Sequence, residues 1–96
     1  MIRFTHKIMN DDLIVSYDPE ARAVYVRVKS GRVSKTKKQA PGVFVDLDSK
    51  GNLLGVEFLD PKHIEVNIIQ RIARVFKFPG LKHLNPKAIP AVYACA

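Results

Sequence analysis

The stretch VFVDLDSKGNLLGVEFLD, residues 43–60, decides the fold. Apolar residues at every second position from Val43 to Leu47 are typical of a β-strand with one buried face. Ser49-Lys-Gly-Asn52 is typical of a four-residue turn. The hairpin predicted from this loop pairs Val43 with Phe58, Val45 with Val56 and Leu47 with Leu54, and every pair keeps the apolar residues in phase. Its other face then carries Phe44, Asp46, Asp48, Leu53, Glu57 and Leu59.

Three further strands are predicted on the N-terminal side of this hairpin. A polar turn at residues 10–12 predicts a first hairpin in which Phe4 lies opposite Tyr17. The alternative for the N-terminus is a short helix or a frayed tail before Asp11. Asp18-Pro19-Glu20 predicts the next turn, and the strand over 24–28 follows it.

A fourth strand is predicted after Ser30-Gly31, because glycine favours a tight hairpin loop. This register places Lys35 and Lys37 on the apolar face of the preceding strand. Two lysines cannot be buried there, so the strand either leaves the sheet after Val33 or forms a sheet edge. We favour the edge, where inward-facing lysine prevents aggregation between edges.

A single helix is predicted between residues 61 and 78. Asp60 as N-cap and Pro61 at the first helical position favour its start, and Pro79-Gly80 favours its end. The apolar residues cover an arc of about 200°, wider than one packing contact requires. We therefore expect this helix to contact its own sheet and also the tail or another subunit. The apolar residues are Ile64, Val66, Ile68, Ile69, Ile72, Ala73, Val75 and Phe76.

The fold class predicted from these elements is α+β. It comprises an antiparallel β-meander of about five to six strands, one C-terminal helix and an irregular tail. We expect one domain over residues 1–78 and a proline-containing tail over 79–96 that lies across an apolar surface or is disordered. No apolar run is long enough to cross a membrane. The single cysteine, Cys95, fits a reducing cytoplasm.

Residues 15–60 carry a series of short motifs: Tyr17-Asp18-Pro19, Val24-Tyr25-Val26, Val33 with Thr36, Pro41-Gly42-Val43, Asp46 with Asp48, Gly51 and Gly55-Val56-Glu57. With these motifs the stretch resembles the domain of unknown function 2283 family. The resemblance implies a small meander sheet with a trailing helix, and it implies no activity. The chain departs from the family where acidic residues are usual, since Arg22-Ala23 precedes the strand and lysines surround Thr36.

Carboxylates on the outer face of the main hairpin are candidates for a magnesium site. Asp46 lies diagonal to Glu57, and such neighbours are within reach of one another. A metal-dependent hydrolase would often carry a lysine two residues after the glutamate, where this chain has Leu59. The simpler interpretation is that these acids are solvated and that Asp48 initiates the turn. The three histidines, His6, His63 and His83, lack metal-ligand spacing.

We therefore expect no catalytic residue, no metal and no cofactor. The protein is interpreted as non-enzymatic, with a metal-dependent hydrolase as the weakest alternative.

Basic residues give the chain a net charge of +7 and suggest nucleic acid as a possible partner. Tyr25, on the same strand face as Arg27, could offer a stacking surface for a base. The alternative is that these cations only solvate a strand edge and a helix face. The candidate nucleic-acid-binding residues are Arg27, Lys29, Arg32, Lys35, Lys37 and Lys38 on one hairpin, and Arg71, Arg74 and Lys77 on the helix.

Self-association is the function that the apolar pattern favours most. One helix cannot cover both faces of a sheet, and exposed apolar patches usually mark interfaces. We therefore expect a self-associating interaction module that forms a homodimer or a higher homo-oligomer. The candidate residues are Phe44, Leu53, Leu59, Ile69 and Phe76.

Overall fold

A computed structural model describes residues 4–7, 13–59 and 64–84, and it shows a six-stranded antiparallel sheet followed by one helix and a 3-10 turn. The sheet order is β1-β2-β3-β6-β5-β4, and the predicted α+β class is confirmed. The elements are β1 (Phe4–Lys7), β2 (Ile14–Asp18), β3 (Ala23–Arg27), β4 (Lys35–Ala40), β5 (Val43–Leu47), β6 (Leu53–Leu59), α1 (Val66–Val75) and the 3-10 turn (Pro79–His83).

Two three-stranded meanders form the sheet, and they join where β3 pairs with β6. The predicted register of the first hairpin, with Phe4 opposite Tyr17, is confirmed. The turn predicted at residues 10–12 lies outside the described residues. Asp18 accepts the backbone N–H of Glu20 at 3.1 Å, as expected for the next turn.

The predicted hairpin between β3 and β4 is wrong. β3 pairs with β6, which places Val24 beside Phe58 and Val26 beside Val56. β4 lies at the far edge of the sheet, where β5 is the one described strand that pairs with it. The reason is burial, because a central strand needs apolar neighbours on both sides, and only an edge can keep the lysines of β4 in water. The expectation that this strand forms an edge is confirmed.

The β5–β6 hairpin contains a bulge that the sequence pattern does not predict. Val43–Phe58 and Val45–Val56 pair as predicted, but the register then shifts and Leu47 lies opposite Leu53 instead of Leu54. Leu53 is consequently part of the core and not of the outer face. Leu54 is buried as well, with its side chain against Gly31 in the loop that leads from β3 to β4.

The core lies on one face of the sheet, beneath α1. Alternate residues of β2, β3 and β5 point to this face, as the strand period requires. On β6 the bulge interrupts the alternation, and Leu53, Val56 and Phe58 belong to the core. Ile69, Ile72 and Ala73 of α1 pack against these strand residues. The fully buried strand residues are Val15, Val24, Val26, Val45 and Val56.

The helix is shorter than the end signals predict. Asp60 and Pro61 lie outside the described residues, but Ile64 and Glu65 are described and are not helical. The helix ends at Val75, before Pro79-Gly80, because Lys77 adopts a left-handed backbone with φ of 55°. Phe78 then donates its N–H to the Ala73 carbonyl at 2.9 Å, which is the bond of a Schellman motif.

The first residues of the predicted tail belong to the core. Leu81 and Leu84 are buried and pack with the α1 residues, so the packed region extends past residue 78. The wide apolar arc of α1 thus contacts both the sheet and this segment. The rest of the tail, 85–96, lies outside the described residues. No described helix is long and apolar enough to span a membrane.

Candidate interaction edge and outer sheet face

The edge strand β4 carries the largest group of cations in the described part of the chain. Lys35 and Lys37 point to the core face beyond Leu47 and Val45, and Lys38 points to the outer face. All three lysines are exposed. Their cross-strand neighbours are the apolar residues Leu47, Val45 and Phe44, which offer no counter-charge.

The helix adds an arginine to this edge. The Arg71 guanidinium donates a hydrogen bond to the backbone carbonyl of Gln39, at a bulge in β4. Arg74 is exposed one helical turn further along the same side of α1. The structure therefore brings two separate cation groups of the sequence together. We call the group Lys35, Lys37, Lys38 and Arg71 the basic edge.

The remaining candidate cations lie elsewhere. Arg27 is separated from β4 by β6 and β5, a distance of about 14 Å at the usual strand spacing. Lys29 and Arg32 lie near Asp48 at the end of the β5–β6 hairpin. The prediction that these three residues form one hairpin with the β4 lysines is wrong, because β3 and β4 do not pair. Lys77 is exposed beyond the end of α1.

The directions of the backbone hydrogen bonds in β4 follow from the pairing of β5 with β6. Leu59 donates its N–H to the Gly42 carbonyl at 2.8 Å, so these residues form a hydrogen-bonded pair. Bonded and non-bonded pairs alternate along an antiparallel ladder. Alternate residues of β5 bond to opposite neighbours. Since Gly42 bonds toward β6, Val45 and Leu47 direct their backbone groups toward β4.

The same alternation continues into β4. Lys35 and Lys37, opposite Leu47 and Val45, use their backbone groups for bonds to β5. Thr36 and Lys38 direct their N–H and C=O groups away from the sheet. Among the described residues no strand pairs with this side of β4, so the edge presents main-chain donors and acceptors between lysine side chains on both faces.

The outer face, opposite the core, holds a polar network centred on Asp46. Tyr25 donates its hydroxyl to one Asp46 oxygen at 3.0 Å, and Thr36 donates to the other at 2.6 Å. Both carboxylate oxygens thus have a partner. The network spans β3, β5 and β4 across the intervening β6.

Gly55 makes this crossing possible. It lies on β6 between Arg27 of β3 and Asp46 of β5, under the Tyr25 side chain. A Cβ atom at Gly55 would lie 2.0 Å from the Tyr25 hydroxyl oxygen. This network was not predicted from the sequence, although a glycine inside a strand signals a close approach of this kind.

The environment of Tyr25 suppresses its ionisation. Burial is the main reason that the pKa of the Tyr25 hydroxyl lies well above 10.0, and the negative charge and hydrogen bond of Asp46 add to it. Tyr25 therefore remains a neutral donor at physiological pH. Its hydroxyl is held by Asp46, and the stacking of a base on the Tyr25 ring stays a prediction.

Two of the three outer-face carboxylates, Asp46 and Asp48, accept hydrogen bonds that hold the fold. Glu57 pairs with Phe44 and lies diagonal to Asp46, as predicted. Asp48 accepts the N–H groups of Lys50 and Asn52, each at 2.9 Å, and so initiates the turn. The hydrogen bond from the Asn52 backbone N–H is the largest cause of the lowered pKa of Asp48. The described residues contain no group of three side chains that could hold a metal ion.

The residues proposed for self-association do not share one surface. Leu53 and Ile69 are buried in the core and offer no surface to a partner. Phe76 is half-buried against the core. Phe44 and Leu59 lie on the outer face, where Phe44 is half-buried and Leu59 is 41% exposed.

The structure defines a small α+β protein whose antiparallel sheet has one helix-covered face and a basic edge. The chain belongs to the family described as Protein of unknown function (DUF2283), whose family model matches residues 14–62, about half of the chain. The resemblance seen in the sequence is thereby confirmed. No curated protein and no solved structure matches the sequence.

Proposed function

We propose that this protein is a non-enzymatic interaction module that binds a polyanionic partner at the basic edge. The observation that supports this is the convergence of Lys35, Lys37, Lys38 and Arg71 at one side of the sheet. The opposite strand offers these lysines apolar neighbours, and the one acid on it that faces β4, Asp46, is held by Tyr25 and Thr36. The three exposed lysines are therefore available to an external anion.

The affinity of such an edge should depend strongly on salt. Each phosphate or carboxylate that a lysine neutralises releases counter-ions, so the binding constant falls as salt rises. For three contacts with duplex DNA, affinity would fall roughly 40-fold between 50 and 200 mM salt. A steep salt dependence is thus an expected property of the site.

Charge reversal tests the location of the site. We would compare K35E/K37E/K38E with K29E/R32E/K50E, which changes the net charge equally but leaves the basic edge intact. Binding of fluorescein-labelled polyglutamate and of a labelled DNA duplex would be measured by anisotropy at 50 mM salt. We expect the edge variant to bind its preferred probe at least tenfold more weakly than the control variant. Equal losses of affinity in both variants would show that net charge alone explains the binding, and this would contradict the proposal.

Self-association through the outer face is the second candidate function. Leu59 is 41% exposed on the same face as Phe44, beside the polar network. A second copy could cover both side chains. Light scattering should then give a dimer mass at micromolar concentration, and Leu59→Glu should shift it to a monomer. A monomer mass for the unmodified chain up to 100 µM would exclude this candidate.

A further inference from the structure

We infer that β4 binds its acidic partner as an added β-strand, so that the partner is an extended, carboxylate-rich peptide segment of another protein. This inference rests on the proposed function and specifies the partner and the mode of binding. Strand addition combines main-chain hydrogen bonds with side-chain selection at alternate positions. The basic edge supplies both.

The main chain of β4 supplies the first component. Thr36 and Lys38 point their N–H and C=O groups away from β5, as the alternation of the ladder requires. This run of outward-pointing backbone groups ends near Gln39, because the Gln39 carbonyl already accepts a hydrogen bond from the Arg71 guanidinium. A partner strand therefore pairs alongside residues 35–38, and Arg71 limits its register.

The side chains of β4 supply the second component. Lys35 and Lys37 lie on the core side of the edge and Lys38 on the outer side. A strand laid against this edge places its own side chains alternately on the same two sides. Carboxylates at alternate positions then lie opposite Lys35 and Lys37, within reach of Arg71.

The same charges disfavour a second copy of this edge. Two antiparallel β4 strands would bring their lysine side chains together, and like charges directly opposite destabilise a strand pair. An acidic strand would instead place carboxylates opposite the β4 lysines, and opposite charges attract. The phosphates of a nucleic acid can accept the outward N–H groups of Thr36 and Lys38 but cannot donate to their outward C=O groups. An edge that presents both donors and acceptors therefore favours a peptide strand.

Amide exchange in the unmodified protein distinguishes these partners. The probe is a ten-residue peptide of alternating valine and glutamate, and the control peptide replaces glutamate by lysine. We expect the acidic peptide to slow exchange of the Thr36 and Lys38 amides at least tenfold. The Lys35 and Lys37 amides, already bonded to β5, are the internal controls and should change much less.

A second test removes one main-chain donor at the edge. Lys38→Ala removes the charge, whereas Lys38→Pro removes the charge and the outward N–H, a substitution that edge strands tolerate. We expect the proline variant to bind the acidic peptide about tenfold more weakly than the alanine variant. Thermal unfolding would show that both variants are folded, and the exchange experiment needs no variant at all.

The outcomes separate this inference from the proposed function. Binding of the peptide without protection of Thr36 and Lys38 would overturn strand addition and leave polyanion binding in place. Binding of a DNA duplex but not of the peptide would also overturn the inference. Failure of both the peptide and the duplex to bind at low salt would contradict both proposals.

Discussion

The two faces of the sheet are built from the same strands but are stabilised differently. The core face carries aliphatic residues and Phe58 beneath α1, and the fold depends on excluding water from them. The outer face carries Tyr25, Asp46 and Thr36, which are fixed by specific hydrogen bonds across three strands. Apolar burial on the core face is non-directional, whereas the outer network depends on hydrogen-bond geometry and on the space that Gly55 leaves for Tyr25.

The difference between the faces shows how one strand can serve two purposes. On β6, Phe58 faces the core and is almost completely buried, whereas the next residue, Leu59, is 41% exposed. Gly55 and Glu57 follow the outer face of the same strand. The period of two therefore separates the stability of the fold from the surface available for interactions.

The largest expected effect comes from truncating the core face at Phe58. Phe58→Ala should lower the free energy of unfolding by about 3–5 kcal/mol, because it removes buried surface and leaves a cavity. Leu59→Ala, the matched change one residue further, should cost less than about 1 kcal/mol. Urea unfolding of both variants measures the contrast. Similar losses at the two positions would show that the outer face is covered as well.

The second-largest loss of stability is expected at Gly55, a residue of β6 that lies under the Tyr25 side chain on the outer face. Gly55→Ala places a Cβ in the space of the Tyr25 hydroxyl, so the ring must move and lose its bond to Asp46. We expect a loss of about 1–3 kcal/mol in the free energy of unfolding.

A double-mutant cycle tests whether Tyr25 is the cause of that loss. In a Tyr25→Ala background the space is open, and Gly55→Ala should become nearly neutral. Additive losses in urea unfolding would mean that Gly55 is required for another reason.

The sequence pattern predicted most of the core face but less of the connections. Alternating apolar residues gave the registers of the β1–β2 hairpin and of most of the β5–β6 hairpin. The pairing of β3 with β6 was missed, because Ser30-Gly31 is a good local turn signal. The choice of partner for a strand depends on burial across the whole sheet, which no local pattern contains.

The basic edge was only partly predictable for the same reason. The lysines of β4 and the arginines of α1 were both recognised as candidates, but as separate groups. Their meeting depends on the packing of α1 against the β4 side of the sheet, where Arg71 reaches Gln39. The bulge at Gln39 and the bulge near Leu53 interrupt strands whose sequence pattern does not signal them.

The ionisation of Tyr25 should make the outer face sensitive to alkaline pH. In the unfolded chain the hydroxyl ionises near 10.0, but in the folded protein burial and Asp46 keep it protonated. Ionisation therefore favours the unfolded state, and the stability linked to Tyr25 is present below pH 10.0 and is lost above it. Urea unfolding at pH 8 and pH 11 should show a smaller loss for Tyr25→Phe than for the unmodified protein. An equal loss in both proteins would contradict this assignment.

The smallest expected effect lies where the outer network meets the basic edge. Thr36 is exposed, and its hydroxyl donates to Asp46 at 2.6 Å. Thr36→Val keeps the β-branched shape and removes this donor, so it should lower the free energy of unfolding by about 0.5–1.5 kcal/mol. The N–H that points outward from this residue is unchanged, so binding of the acidic peptide should change less than twofold. A large loss of binding without a loss of stability would assign the hydroxyl itself to the partner and would move the site from the edge backbone onto the outer face.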